Sequence, residues 1–282
     1  MIPVKDRGRA VLHWITSALK WSVYSNLYGA ISGHVAMTAA MMVLLRVPMN
    51  PALLLIAFSG SMLVYSLNRH MDRLEDQVSL PERSEFSRRY GWYFIAASIP
   101  LFGFSLILAA LQSLAVLVVV LMPLTIGVAY SYFRIKRIFF LKNLVVSLAM
   151  SATLLIVVAA YLPPPITWLP LFGILVMGLL VNTIIFDIKD ITGDAFTGIR
   201  TLPVTLGVRK TQGLCFILLA IMILLSILLI RIDSIFWALM PFSFYIGWYI
   251  ASVPAGDAPW WYYGLVVDGE YIALLGFSFL FQ

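Results

Sequence analysis

Long apolar runs alternate with short polar breaks along nearly the whole chain. Nine runs lie at 22–45, 51–68, 90–112, 114–133, 141–161, 166–186, 209–230, 234–252 and 259–281. Each is close to the ~20 residues that a helix needs to cross a bilayer. Pro48, Pro51, Pro163 to Pro165 and the Arg231-Ile232-Asp233 turn punctuate short connections. Two connections, 69–89 and 187–208, are longer and polar, and alternation of the spans puts them on one side. Residues 1–21 read as an amphipathic segment lying on the membrane, with Trp14 and Trp21 as interfacial anchors. Residues 22–282 read as one helical domain, so the pattern predicts an all-α polytopic membrane protein.

Composition agrees. The chain is 62% hydrophobic and 11% charged, against about 25% charged for a soluble domain. Lys5, Arg7, Arg9 and Lys20 precede any long apolar run, which is unlike a cleavable signal peptide. The single cysteine, Cys215, excludes an intrachain disulfide and a cysteine-rich metal site. A net charge of +6 could suggest nucleic acid, but its placement argues otherwise. Seventeen of the 19 Lys and Arg residues fall on one side of the nine-span topology, with only Arg46 and Arg231 on the other. The positive-inside rule places the amino terminus and both polar connections in the cytoplasm, at the cell (inner) membrane.

Two acidic stretches close apolar runs and open those connections. In the first, Asn68, Asp72 and Asp76 recur at i, i+4, i+8 and share one helix face. In the second, Asp190 and Asp194 repeat the i, i+4 step, with Asp187 just before them. Carboxylates held this close repel one another unless a cation sits among them. Hard oxygen ligands suit Mg²⁺, which keeps waters and phosphate oxygens in its shell. The two stretches are therefore expected to face each other and hold a magnesium-bound diphosphate. They sit four spans apart at matching places, a weak internal repeat. Taken singly, such charges could be solvated helix ends worth about 0.5 kcal/mol per ion pair; two clusters on one side are harder to explain that way.

These motifs resemble a known family. Asn68-x-x-x-Asp72-x-x-x-Asp76, with Asp187-x-x-Asp190-x-x-x-Asp194 and the following Gly198-Ile-Arg200-Thr201-Leu-Pro203, is similar to the paired aspartate motifs of the UbiA superfamily of intramembrane prenyltransferases. The stretch from Tyr130 to Asn143 after the fourth span shares the likeness, which covers about residues 22–281. The resemblance implies nine transmembrane helices around a central cavity, capped by cytoplasmic loops. It implies Mg²⁺, an isoprenyl diphosphate donor, and a hydrophobic or aromatic acceptor. Asp72, Asp76, Asp187, Asp190 and Asp194 would hold metal, with Asp72, Asp76, Asp190 and Asp194 catalytic. Asn68, Lys136, Arg137, Lys142 and Arg200 would bind diphosphate. Tyr130, Tyr132 and Phe186 could steady an allyl cation through their ring faces.

The likeness has departures. Arg69 stands where the family usually has Asp, Ser79 replaces an Asn, and Glu85 to Arg89 replace a small-residue segment. These leave the acceptor unassigned and keep open a membrane terpene cyclase using the same ionisation. A cation or proton transporter is the alternative of another class, although it would place its carboxylates nearer the midplane. Asp268 and Glu270 lie inside the last run, where an ionisable group usually faces a cavity. Asp268 is read as a substrate-cavity residue; i, i+2 spacing keeps both from facing one cavity in a regular helix. His34 is read as a satisfied interior histidine.

Overall fold

The computed structural model describes residues 4–71, 81–132, 138–163, 165–254 and 259–282, with side-chain surroundings from residue 11 onward except at 71, 127–132 and 197. Among these residues every regular element is helical. In chain order they are α1 (Val4–Tyr24), α2 (Leu27–Leu44), α3 (Pro51–Met71), α4 (Pro81–Gln112), α5 (Leu114–Tyr132), α6 (Leu141–Ala160) and α7 (Trp168–Lys189). Two short helices follow, α8 (Ile191–Thr197) and α9 (Leu202–Leu206), then α10 (Val208–Ile230), α11 (Leu239–Ala251) and α12 (Tyr262–Leu280).

Among the described residues, eight helical segments are long and apolar enough to cross a membrane, α11 counting with the 3-10 turn before it as Ser234–Ala251. The remaining expected span is α5, whose described apolar part, Leu114–Ile126, is shorter. Neighbouring helices pack in chain order, α2 on α3, α3 on α4 and so on through α7, α10, α11 and α12, and α12 closes back on α2. The polar breaks thus fix an up-and-down ring in which chain neighbours are spatial neighbours. Met37–Leu44 of α2 is buried on every side and also touches α6. A segment apolar all round belongs inside a bundle.

Three contacts gather the same end of the ring. Arg46 makes a two-pronged contact with Asp233, at 2.7 and 2.9 Å. Tyr161 Oη donates to the Pro48 carbonyl at 2.7 Å, and Asn50 Nδ2 to Gln112 Oε1 at 3.4 Å. Asn68 near the end of α3, and Asp187 and Asp190 at the end of α7, therefore lie together at the opposite end.

Two expected boundaries move. Pro81 starts α4 nine residues before the expected span, because Pro81 and Glu82 suit a first helical turn and carry the helix through the polar Glu85–Arg89 stretch. The first span begins at Leu27 rather than 22, because Asn26 adopts a left-handed conformation (φ 66°) that separates α1 from α2. Val11, Leu12, Trp14 and Ile15 of α1 are exposed apolar side chains. Its end is moored on α4: Trp21 lies 4.9 Å from the Phe86 ring, Tyr24 Oη donates to Glu82 at 3.0 Å, and Lys20 pairs with Glu82.

The Arg46 guanidinium, together with the Ile235 N–H, holds the Asp233 carboxyl down at about 2. A depressed carboxyl stabilises the fold above its unfolded value near 4 and loses that contribution as pH falls toward 2. In thermal unfolding, Asp233→Asn is expected to melt below wild type at pH 6, and the gap to narrow by pH 3.

Candidate functional site

The last turn of α7 brings Asp187, Lys189 and, just past its end, Asp190 to the polar end of the ring. Asp187 is buried and both its oxygens are engaged: Lys142 Nζ lies 2.7 Å from Oδ1 and Asn143 Nδ2 donates to Oδ2 at 2.9 Å. Both partners come from the first turn of α6. Asp190 Oδ1 is screened from solvent and accepts no hydrogen bond; Lys189 Nζ lies 3.6 Å away. The expected i, i+4 step crosses a helix boundary, since Asp190 caps α8, although its carbonyl still accepts the Asp194 N–H at 2.8 Å. Gly198 (φ 73°) ends α8 in the left-handed region, which glycine adopts without strain.

Asp194 is buried behind this pair. Burial pushes its carboxyl up to about 6; Lys142 pulls it down, and the nearby carboxylates of Asp187 and Asp190 push it up again.

A polar cavity of about 320 Å³ opens between these groups and the end of α3. Asn68 and Arg69 line one wall, and Lys142, Asp187, Lys189 and Asp190 another. Arg69 reaches the Tyr24 carbonyl and donates to Asn26 Oδ1 at 3.3 Å, so α1 and α2 are tied at the cavity mouth. Arg83 from α4 also lines the cavity. A second, apolar chamber of about 130 Å³ adjoins it, sharing Tyr65, Asn68, Val146 and Met150. Phe102, Val120, Leu124 and Ile156 continue its wall.

Hard oxygen chemistry suits a divalent cation at Asp190, whose buried oxygen lacks a donor. Among the described residues, no three His, Cys, Asp or Glu side chains gather as a complete metal site. Asp72 and Asp76 lie outside the described residues, as do Lys136 and Arg137. The side chains of Tyr130 and Tyr132 lie outside them too. Arg200 is exposed and is not part of the cavity wall, whereas Lys142 and Phe186 are.

The sequence profile of the UbiA prenyltransferase family matches residues 26–274. The chain belongs to the UbiA prenyltransferase family. It is a multi-pass membrane protein of that fold. A UbiA homologue from Archaeoglobus fulgidus bound to GPP and Mg²⁺ superposes with a TM-score of 0.67 at 16% identity, covering 92% of this chain and 99% of that one. An apo UbiA homologue from Aeropyrum pernix K1 gives 0.67 at 17% identity, covering 93% and 98%. A digeranylgeranylglyceryl phosphate synthase structure gives 0.60 at 13% identity, covering 92% and 97%. No curated protein matches by sequence.

In this UbiA-family chain the last span corrects the i, i+2 argument. Asp268 and Glu270 both line the polar cavity. Tyr262–Val267 is a wider π-helical segment, and the helix breaks at Asp268-Gly269 before resuming at Glu270. The regular-helix premise fails there, and both residues border one cavity. His34 is buried near Tyr65, with rings 5.9 Å apart. Sequence reading missed Asn143 as a partner of Asp187 and Arg83 as a cavity residue; only their polarity beside apolar runs signalled them.

Removing one member of a buried ion pair strands the other. Lys142→Met is expected to destabilise the protein by about 3 kcal/mol, and Lys142→Met/Asp187→Asn to recover part of that loss. Denaturant unfolding in detergent measures both.

Proposed function

We propose that this chain is a Mg²⁺-dependent prenyltransferase, taking an isoprenyl group from its diphosphate and passing it to a second, lipophilic or aromatic substrate within the membrane. The observation that carries this reading is the single cavity in which Asn68 at the end of α3 faces Asp187 and Asp190 at the end of α7, with an apolar chamber adjoining. The likeness to a homologue bound to GPP and Mg²⁺ supports it.

Asp190 and Asp194, with Asp72 and Asp76, would hold the metal; Asp187 would join them while keeping Lys142 in place. Mg²⁺, when bound, neutralises charge developing on the departing diphosphate. Asn68, Arg69 and Lys189 line the cavity where that headgroup would sit, offering donors fixed in advance of the reaction. Lys136, Arg137 and Arg200 are proposed to approach it from the connecting loops. The neighbouring chamber, walled by Phe102, Val120 and Ile156, takes the hydrocarbon chain and excludes water from the cationic carbon. Lys189 Nζ stands 4.9 Å from the Phe186 ring centre and 5.7 Å from that of Tyr263. That arrangement keeps a cation at the cavity wall while its stem packs on aromatic surface. Tyr130 and Tyr132 are proposed as further substrate-cavity residues. The basic bias of the polar end supports a position on the cytoplasmic face of the cell membrane.

Geranyl diphosphate with Mg²⁺ is expected to raise the melting temperature of the purified protein. Asp190→Asn and Asn68→Ala should abolish most of that rise and cut diphosphate release by 10² or more, with helical content retained by circular dichroism. Full stabilisation and wild-type release in Asp190→Asn would refute the assigned site.

A further inference from the structure

The broken helix α12 presents a carboxylate to the cavity that the donor reading does not use. Asp268 makes no hydrogen bond or close ion pair among the described residues, yet it lines the polar cavity. The break that exposes it is built with care. The carbonyls of Leu265, Val266 and Val267 accept from Tyr28 Oη at 3.0 Å, Tyr245 Oη at 2.6 Å and Asn182 Nδ2 at 3.2 Å, donors from three other helices. Irregular backbone at membrane depth survives where other helices satisfy it and where it borders a cavity. Gly269 has no room for a side chain: a Cβ would lie 2.2 Å from the Leu265 carbonyl oxygen and 2.7 Å from Tyr28 Oη. Glu270 is fully buried and locked, accepting from Tyr249 Oη at 2.8 Å and from Asn182 Nδ2 at 3.2 Å. Glu270 is thus a positioning residue that fixes the turn, and Asp268 is the group left facing the space.

We propose that the Asp268 wall receives the second substrate, and that this substrate presents a neutral, hydroxyl-bearing head rather than a carboxylate or phosphate. The inference rests on the prenyltransferase reading and names the acceptor class for that site. Its argument is electrostatic. Lys142 and Lys189 face Asp187 and Asp190 at the donor end. Arg69, Arg83 and Lys189 lie within electrostatic reach of Asp268, and the four basic groups lining the cavity are matched by the four carboxyls of Asp187, Asp190, Asp268 and Glu270. A bound diphosphate adds further negative charge there. An anionic acceptor would then meet both the diphosphate and Asp268 in one partly desolvated space, where like charges repel strongly. A hydroxyl donates to a carboxylate without that penalty. The Tyr263 ring, 5.6 Å from that of Phe186 on the same side of the cavity, supplies an apolar face beside the hydroxyl.

The reaction balances. The C1–O bond of the allylic diphosphate breaks and its electron pair leaves on the diphosphate. The electron pair of the acceptor hydroxyl, directly or through a conjugated ring carbon, forms the new bond to C1. The proton released goes to the Asp268 carboxylate and then to water at the cavity mouth. Nothing is oxidised or reduced.

The test uses the full chain in detergent with geranyl diphosphate, Mg²⁺ and two phenols of similar shape, neutral 4-hydroxybenzyl alcohol and anionic 4-hydroxybenzoate. Wild type is expected to geranylate the neutral probe with a kcat/KM at least tenfold higher. Asp268→Asn should lower kcat on it about 100-fold at pH 7, keep the thermal stabilisation by geranyl diphosphate, and show a residual rate that climbs with pH as the phenol ionises unaided. A merely structural Asp268 would not produce that altered pH profile. Equal use of both probes, use of neither while geranyl diphosphate still stabilises the protein, or an unchanged rate in Asp268→Asn overturns the acceptor assignment. Absence of stabilisation by geranyl diphosphate in wild type overturns the prenyltransferase reading on which it rests.

Discussion

A carboxylate buried at the end of a membrane helix must be met by a cation and by hydrogen-bond donors, and the Lys142–Asp187–Asn143 contact meets that demand. It joins the start of α6 to the end of α7 at the level where the ring changes from apolar to polar. Asp190, Lys189 and Asp194 take their places relative to this junction.

The fold was legible because it follows from two periodicities. Apolar runs of spanning length set the helices, and basic residues at alternate breaks set their direction. An up-and-down ring then leaves little freedom, and Asn68 of α3 and Asp187 of α7 reach one end without long-range information. Boundaries were less legible where local chemistry opposed hydropathy. Pro81 and Glu82 favour helix within a polar stretch, and Asn26 breaks a run that composition reads as continuous.

The site was legible in part. Asn68, Asp187 and Asp190 line one cavity, as their motifs suggested. Arg83 and Asn143 escaped because each depends on a side chain far away in sequence, which no local spacing encodes. The case of Asp268 and Glu270 is instructive. Their i, i+2 spacing excludes a shared cavity only while the helix is regular, and Gly269 was the visible sign that it is not. The carbonyls freed by that irregularity find donors on α2, α7 and α11, partners that only the folded ring identifies.

The length of α4 has a structural corollary. Its 32 residues extend about 48 Å at 1.5 Å per residue, well beyond the ~30 Å hydrocarbon layer. Several turns therefore stand in the headgroup region or in water, and Phe86 and Glu82 sit on that protruding part with Trp21, Lys20 and Tyr24 of α1 against them. A post rooted in the bundle thus carries the end of α1 against its protruding part. At its foot, Arg83 of α4 lines the polar cavity together with Tyr24 and Asn26.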